Sequence, residues 1–388
     1  MGVRVAVVSP QFPPAVLGGG PIRTLSALVQ QAPEWAQVHV FTSSRDHGAT
    51  NDMVDVVNGP SRYLDTRVTY VQPHRPAGWC ALFRGLRAFA PEILYLNSYW
   101  SLTFSQLVML VHRSGWIGRS VVVLAPRGEF AGAALARHHR RKALLHLVHR
   151  LLALYRHVIW HASTECEAQE IRAYMGHHAR VVVREDDNLL PADPLPSQPG
   201  SVTGSLRAVF LGRLVEHKGA LLAIEAARRA GDGVTLDVYG PEEDAGYAAA
   251  CRAAAGLAGG RVRFPGVLKP EDVRTTLAAY DVLVMPTRSE NFGHVIAEAL
   301  SASLPVVVPD VTPWSEVIRE RGAGDIVSRD ASDICSVLRR RAAETPEAKK
   351  QARRTAAAAF RAWRGQSKRL PHLFEQLVEL GAMPRTGR

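Results

Sequence analysis

Short apolar runs alternate with longer amphipathic stretches along the first half of the chain. The runs are rich in β-branched residues and lie at 3–8, 38–42, 68–71, 93–97, 121–125, 158–162 and 181–183. A strand that is apolar on both faces needs a covering layer on each side, so runs separated by helices predict a parallel sheet between two helical layers. The first half is therefore predicted to be a doubly wound α/β domain.

The same alternation restarts after a stretch of different composition. Residues 188–205 contain four prolines, two glycines and three serines without apolar periodicity, which is typical of an interdomain linker. Apolar runs then recur at 208–211, 235–239, 262–264, 282–285, 306–308 and 326–327, with helical patterns such as 217–230 and 293–302 between them. This pattern predicts a second Rossmann-like domain.

The two halves define the predicted organisation of the chain. We expect a first domain at 1–190, a linker at 191–205, a second domain at 206–345, and helices at 346–388 that pack back on the first domain. Ligands bind at the carboxyl ends of strands in open α/β sheets. The sequence therefore predicts a ligand site in a cleft between two facing sheets.

Composition supports a folded protein with local concentrations of charge. The 388 residues are 47% hydrophobic and 21% charged, which argues against disorder as the main state. Much of the net charge of +11 lies in residues 339–388, with 13 Lys or Arg against 4 Glu, and in residues 137–161, with six against none. The basic clusters Arg339–Arg341 and Lys349–Arg354 lack interleaved aromatics, so no nucleic-acid partner is expected.

Segment 137–161 mixes these cations with leucines and has two interpretations. We favour a helix that turns its apolar side to the core and its basic side to solvent. The alternative is a helix that lies on an anionic membrane. No apolar run reaches the 18 residues needed to span a bilayer, so we expect a cytoplasmic protein, with peripheral contact at the inner membrane face as that alternative.

Residues 281–300, DVLVMPTRSENFGHVIAEAL, hold the strongest chemical signal. A buried strand is followed by a polar loop with Glu290 and by a helix that starts near Gly293 and carries Glu298. Backbone N–H groups at a helix start bind phosphate or sugar oxygens, and the candidate groups belong to Phe292, Gly293 and His294. Asn291 is a further candidate donor-binding residue. Eight residues of loop and helix separate the two carboxylates by roughly 10 Å or more, too far for a retaining glycosidase pair.

With the segments 305–314 (PVVVPDVTPW) and 210–219 (FLGRLVEHKG), this region resembles the family 4 retaining glycosyltransferases of the GT-B fold. The resemblance implies two Rossmann-like domains facing across a cleft, the first binding the acceptor and the second the nucleotide sugar. It implies that Arg213 and Lys218 stabilise the departing diphosphate, that Glu290 orients the sugar and that Glu298 holds the ribose. No metal and no cofactor are expected, because positive side chains neutralise the leaving group.

Several glycines lie where relatives approach the donor. The resemblance places Gly240 beneath the diphosphate and the backbone of Gly266 and Val267 at the nucleobase. In the first domain, residues 10–24 (PQFPPAVLGGGPIRT) place Gly19 and Gly20 before a helix, where a donor phosphate or sugar can approach closely. This is not the GxGxxG fingerprint of a dehydrogenase, so that function is disfavoured.

One position departs from the family pattern. Where many relatives have a histidine followed by glycine, this chain has Arg127-Gly128, with Glu129 next. Arg127 is expected to act electrostatically or to grip an anionic or hydroxyl-rich ligand, since an arginine is no base near pH 7. The alternative is a structural ion pair of Arg127 with Glu129 or Glu165.

The sequence therefore predicts a glycosyltransferase that moves a sugar from a nucleotide-diphosphate sugar to an acceptor hydroxyl. The acceptor is a sugar, a glycolipid or a natural product. A sugar phosphorylase or a nucleotide-sugar epimerase on the same fold is the nearer alternative, and a basic binder of nucleic acid or membrane is the remote one. The base, the sugar, the acceptor and the oligomeric state stay open.

Overall fold

The computed structural model describes residues 2–53, 59–136, 139–198, 201–367 and 369–381. The chain divides into two compact units. The first unit comprises residues 1–189 and 371–388, and the second comprises residues 190–370. In the described residues, no helix is long and apolar enough to cross a membrane.

The first unit is built on an eight-stranded sheet in the order β3-β4-β2-β1-β5-β6-β7-β8. All neighbouring strands are parallel except β3 and β4, which form an antiparallel pair at one edge. The strands are β1 (Val3–Ser9), β2 (Ala36–Ser43), β3 (Gly59–Tyr63), β4 (Thr66–Val71), β5 (Ile93–Asn97), β6 (Val121–Ala125), β7 (Ile159–Ala162) and β8 (Arg180–Val183).

Helices cover both faces of this sheet, and two separate apolar cores lie between the layers. The helices are α1 (Gly20–Gln30), α2 (Pro76–Phe89), a π-helical turn (Leu102–Gln106), α3 (Leu107–Arg113), α4 (Gly132–Ala136), α5 (His139–Leu151), α6 (Glu165–Met175) and, from the end of the chain, α14 (Leu373–Glu379).

The second unit has a six-stranded parallel sheet in the order β11-β10-β9-β12-β13-β14, which is the doubly wound order of dinucleotide-binding folds. Its strands are β9 (Leu206–Leu211), β10 (Val234–Tyr239), β11 (Val262–Gly266), β12 (Val282–Val284), β13 (Val306–Pro309) and β14 (Gly324–Val327). Its helices are α7 (Ala220–Ala230), α8 (Ala245–Gly256), α9 (Val273–Ala278), α10 (His294–Ser301), α11 (Ser315–Arg321), α12 (Ala331–Ala343) and α13 (Pro346–Ser367), with short 3₁₀ turns at Glu216–Lys218 and Pro270–Asp272.

The predicted α/β class is confirmed: each predicted apolar run lies on a strand. The antiparallel strand β3 was not predicted, because residues 59–63 (GPSRY) have no apolar alternation. It pairs with β4 through its backbone at the sheet edge, where one strand face needs no apolar cover.

The tail differs from the prediction that residues 346–388 pack on the first domain. Helix α13 belongs to the second unit, where Ala356, Ala359, Phe360 and Trp363 form one buried stripe against its core. Their spacing of three and four residues defines one helical face. Only α14 returns to the first unit, where Leu373, Phe374 and Leu377 are fully buried.

The proline-rich segment also differs from a free linker, because it packs on the second unit. Leu195 N–H donates to Ser301 O at 2.8 Å, and Ser303 Oγ donates to Leu195 O at 2.5 Å. Farther along, the buried ammonium of Lys349 donates to the carbonyl oxygens of Val202 and Ser205 at 3.0 and 2.5 Å. Proline content alone does not reveal such backbone anchoring.

Helix α5 contradicts the interpretation that its leucines face the core. Leu144, Leu147, Val148 and Leu151 are exposed, and the inward side of the helix carries His149 instead. The imidazole Nδ1 of His149 lies 2.7 Å from the hydroxyl of Tyr99 in the aromatic core. A buried tyrosine hydroxyl needs a polar partner, so the polar side of the helix turns inward.

Candidate glycosyl-transfer site

The carboxyl ends of β9 and β12 carry the main candidate residues of the second unit. These two strands are neighbours at the point where the strand order reverses, and ligands bind at such points in open α/β sheets. Arg213 and Lys218 follow β9, while Glu290 follows β12. Strand order therefore brings together residues that lie more than 70 positions apart in sequence.

Lys218 and Glu290 form a direct ion pair. The ammonium nitrogen Nζ lies 2.6 Å from Oε1, and the two side chains are only 16% and 8% exposed. The loops that carry them are also joined through the backbone, because Arg288 N–H donates to His217 O at 2.7 Å. A Cβ on Gly219 would lie 2.3 Å from the Pro286 carbonyl oxygen, so only glycine permits this contact.

Arg213 lies in the same charged cluster. Its Nη1 donates to Glu243 Oε2 at 2.6 Å, and both side chains are about one third exposed. Burial, together with the charges of Lys218 and Arg213, lowers the pKa of His217 to about 4 against the opposing carboxylates. His217 is therefore neutral near pH 7, and the cluster's cations are the two predicted from sequence.

Contacts with two tryptophans hold the loop between Glu290 and α10 in place. Gly293 precedes the helix with φ 81°, and His294 is its first residue. The Trp314 indole N–H donates to Phe292 O at 2.7 Å, and the Phe292 ring is buried against Trp314 and Trp363. The Phe292 side chain is thus an anchor, which leaves only its backbone for the predicted ligand contact.

Glu298 lies on the second turn of α10 and is buried. Its backbone carbonyl accepts hydrogen bonds from the Ala302 N–H at 3.0 Å and from the Ser301 hydroxyl at 2.7 Å. Its predicted role toward a ribose stays a prediction, as does that of Asn291, which lies between Glu290 and Phe292.

Gly240 packs directly against the loop that carries Arg213. Its φ is 140°, and a Cβ there would lie 1.9 Å from the Gly212 carbonyl oxygen. Gly240 N–H also donates to Gly266 O at 3.0 Å, which joins the ends of β10 and β11. Gly266 has φ 106° with open space around it, and the Val267 side chain is exposed. The three predicted positions thus adjoin one another at the edge of the sheet.

In the first unit, the side chain of Arg127 is buried and has a different partner from those predicted. It forms an ion pair with Asp186, while Nε donates to Asn97 Oδ1 at 3.0 Å and Nη2 donates to the Tyr95 hydroxyl at 2.7 Å. All three guanidinium nitrogens are therefore engaged within this unit. The ion pair is thus with Asp186 instead of Glu129 or Glu165, and the predicted ligand contact of Arg127 stays a prediction.

Two glutamates, the half-buried Glu129 and the buried Glu167, hold the neighbouring loops, and no sequence motif indicated this role for either. Glu129 accepts hydrogen bonds from the Ser98 hydroxyl at 2.6 Å and from the Tyr99 N–H at 2.5 Å; burial raises its pKa. Glu167 accepts the Gly128 N–H at 2.7 Å and the Ser163 N–H at 2.8 Å. The sequence alone does not show that a carboxylate will accept hydrogen bonds from the N–H groups of another loop.

The glycine-rich loop of the first unit has a positioning residue that the sequence pattern did not predict. The Asp46 carboxylate, beyond the end of β2, accepts the N–H groups of Val16 at 2.8 Å and Leu17 at 3.1 Å. Gly19 follows with φ 67° and open space around it, and Gly20 begins α1. Asp46 therefore fixes the loop just before the two predicted ligand contacts.

The described residues contain no group of three or more His, Cys, Asp or Glu that could hold a metal ion.

Comparison with known proteins agrees with this geometry. Residues 193–358 match the family model for glycosyl transferases group 1. Residues 193–358 are therefore similar to a group 1 glycosyl transferase domain. The matched range includes the β9 loop, the β12 loop and α10, which together hold the predicted cations and both predicted glutamates.

Two curated relatives match this chain over part of their length. It is 40% identical over 97 residues to the lipopolysaccharide core biosynthesis glycosyltransferase LpsE of Rhizobium meliloti (strain 1021), covering 25% of this chain and 27% of that protein. It is 34% identical over 115 residues to the 2-deoxystreptamine glucosyltransferase of Streptomyces kanamyceticus, covering 29% and 28%. The matches thus span little more than a quarter of either relative.

A structural match extends over nearly the whole chain. The crystal structure of Anabaena HepE in complex with UDP and glucose matches 98% of this chain and 100% of that one, with a TM-score of 0.71 and 18% identity. The predicted GT-B fold is therefore confirmed for both units.

Proposed function

We propose that this protein is a retaining glycosyltransferase that moves a sugar from a nucleoside-diphosphate sugar to an acceptor hydroxyl. The observation that carries the proposal is the Lys218–Glu290 ion pair at the strand-order reversal of the second unit. The pair places a cation, which can neutralise a leaving diphosphate, next to a carboxylate, which can bind a sugar. The match of residues 193–358 to the group 1 family model supports the same activity.

In this mechanism the leaving diphosphate is stabilised without a metal. Arg213 and Lys218 neutralise the charge that grows on the phosphate oxygens, and the start of α10 adds backbone donors at Gly293 and His294. An oxocarbenium-like sugar forms while Glu290 orients its hydroxyls. The acceptor oxygen attacks from the face that the diphosphate leaves and transfers its proton to the departing phosphate, so the anomeric configuration is retained.

Donor binding requires that the ion pair open. Without a ligand, Lys218 and Glu290 neutralise one another at 2.6 Å. A diphosphate offers Lys218 more negative charge than one carboxylate, so we expect the ammonium to turn to the phosphate. Glu290 is then released to accept hydrogen bonds from the sugar, which couples phosphate binding to sugar recognition.

The donor and acceptor classes are proposed from the same cluster and from the relatives. HepE is described with UDP and glucose, which favours a uridine donor for this chain. The relatives named for lipopolysaccharide core biosynthesis and for 2-deoxystreptamine support an acceptor that is a glycan, a glycolipid or a natural product. Gly240, Gly266, Val267, Asn291 and Glu298 are proposed to complete the donor site in the second unit.

A donor screen tests this proposal. The full chain is heated with UDP-, GDP-, ADP- or dTDP-glucose, and with glucose alone as the control. One nucleotide sugar at 100 times its Kd should stabilise the protein by about 2.7 kcal/mol, which appears as a raised unfolding temperature. Failure of every nucleotide sugar to raise that temperature would overturn the assignment.

Product analysis separates the proposal from the nearer alternatives. With the stabilising donor and a panel of acceptors, a transferase releases nucleoside diphosphate and forms a glycoside without inorganic phosphate. A phosphorylase requires phosphate for turnover, and an epimerase changes the sugar while the nucleotide stays attached. The anomeric configuration of the glycoside, read by proton NMR, distinguishes retention from inversion.

Replacing Asp46 by alanine should weaken donor use without unfolding the protein. The variant frees the N–H groups of Val16 and Leu17, so the loop before Gly19 and Gly20 loosens. We expect kcat/KM to fall roughly tenfold, mostly through a higher KM, because a displaced loop weakens donor binding more than it slows the chemical step. Asp46→Asn, which keeps one acceptor oxygen, should recover part of the loss.

The matched control for this variant is Asp65→Ala. Asp65 is an exposed aspartate of the same unit that lies outside the glycine-rich loop. Steady-state kinetics with varied donor concentration provide the measurement. An unchanged KM in Asp46→Ala, with the unfolding temperature also unchanged, would remove Asp46 from the positioning role.

A further inference from the structure

Helix α5 presents an apolar stripe to solvent. Leu144, Leu147, Val148 and Leu151 are 65%, 53%, 40% and 77% exposed, and Leu152 beyond the helix is 55% exposed. Positions i, i+3, i+4 and i+7 share one face of a helix. In the described residues, the other exposed large hydrophobic side chains are dispersed along the sequence, so a contiguous apolar face of this kind marks an interaction surface.

The opposite side of α5 explains why the leucines do not turn inward. His149 is buried with its Nδ1 2.7 Å from the Tyr99 hydroxyl. The ammonium of Lys142 lies 5.2 Å from the centre of the Trp100 ring. The helix is therefore held to the first unit by polar and cation–π contacts, and its amphipathic pattern is inverted relative to a core-packed helix.

The charged residues in this segment indicate the chemistry of the partner that binds the stripe. Residues 137–161 contain six Lys or Arg and neither Asp nor Glu. Of these six, Arg141 and Arg156 are exposed; Arg141 precedes Leu144 on α5, and Arg156 follows the helix in sequence. Leucines on a helix flanked by cations are the pattern of a helix that lies in the interface of an anionic bilayer. A second copy of the chain would instead bring two such basic segments together, which is electrostatically unfavourable.

We propose that the outward face of α5 binds the surface of a bilayer that contains anionic lipid. The leucine stripe enters the boundary between headgroups and acyl chains, and the arginines contact the lipid phosphates. Attraction between the cations and the lipid phosphates and burial of the apolar side chains both favour binding. This surface is separate from the residues of the proposed transfer site in the second unit.

Vesicle flotation with the full chain tests this surface. Wild-type protein should float with phosphatidylcholine vesicles that contain phosphatidylglycerol, and should float much less with pure phosphatidylcholine. The double variant Leu147→Ser/Leu151→Ser should lose roughly tenfold or more in partitioning, because two side chains no longer enter the bilayer. The matched control is Leu64→Ser/Leu257→Ser, which removes two comparably exposed leucines elsewhere and should float as wild type.

A second pair of variants tests the charge. Arg141→Glu/Arg156→Glu should abolish the preference for anionic vesicles, whereas Arg321→Glu/Arg354→Glu makes the same change in net charge at exposed positions of the second unit and should retain it. High salt should weaken wild-type flotation. Equal flotation of the α5 variants and wild type, or equal flotation with neutral and anionic vesicles, would overturn the proposal.

Two further measurements keep the outcome clear. Light scattering after gel filtration reports whether a dimer exists that Leu147→Ser/Leu151→Ser dissociates; such a dimer without vesicle binding would assign the face to a second copy and overturn the bilayer. The thermal shift with the nucleotide sugar should be the same in all four variants. Failure at the membrane is thereby distinguished from failure of the proposed transferase activity.

Discussion

Lys218→Ala is expected to lower the transfer rate roughly 100-fold, and Arg213→Ala should do the same. Each variant removes one of the two cations that neutralise the diphosphate as the bond to the sugar breaks. Rates of nucleoside diphosphate release at saturating donor and acceptor provide the measurement. Arg252→Ala is the matched control, since Arg252 is an exposed arginine paired with Glu242 in the same unit; it should turn over as wild type.

The ion pair requires a second control, because Lys218→Ala leaves Glu290 without its cation in a nearly buried position. We expect a loss of about 2 kcal/mol in unfolding free energy from that lone charge. The double variant Lys218→Ala/Glu290→Gln removes the lone charge and should recover stability while staying inactive. A loss of turnover below about threefold in folded Lys218→Ala would contradict the proposed role.

Glu290→Gln is expected to separate binding from turnover. The amide keeps the shape of the side chain but no longer neutralises Lys218, so nucleoside diphosphate should bind at least as tightly as to wild type. Transfer should fall roughly 100-fold, because the carboxylate no longer stabilises the positive charge of the sugar in the transition state. Calorimetric titration with the diphosphate and single-turnover transfer measure the two effects.

Glu242→Gln gives the matched comparison for this variant. It makes the same chemical change in a surface ion pair, and neither affinity nor transfer should respond. A Glu290→Gln variant that transfers at the wild-type rate would remove Glu290 from the mechanism. A variant that loses diphosphate binding instead would indicate that Glu290 supports the phosphate site through the loop, not the sugar.

The sequence predicted the strands from apolar runs, and it predicted the charged cluster through the family resemblance. Strands buried on both faces need continuous apolar runs, and such runs are visible without coordinates. Once β9 and β12 are neighbours, the residues after them meet, so Lys218 and Glu290 follow from strand order. In the structure, Lys218 Nζ lies 2.6 Å from Glu290 Oε1.

Other features depend on partners that a motif does not name. Arg127 was placed correctly at the end of β6, but its partner Asp186 lies 59 residues later and gives no local pattern. No sequence pattern distinguishes Asp46 from the other acidic residues. Its role becomes visible only from the hydrogen bonds that its carboxylate accepts from the Val16 and Leu17 N–H groups. Periodicity shows that α5 is amphipathic, but the partner of His149 decides which side faces the core.

The position of α14 has a consequence for synthesis on the ribosome. The last helix completes the core of the first unit, where the His372 imidazole Nε2 lies 3.0 Å from Leu28 O and Phe374 is fully buried. The second unit ends at Leu370, before this helix. During translation the later unit can therefore finish folding first, while the earlier one waits for the last segment to emerge and exposes apolar surface that a chaperone can bind.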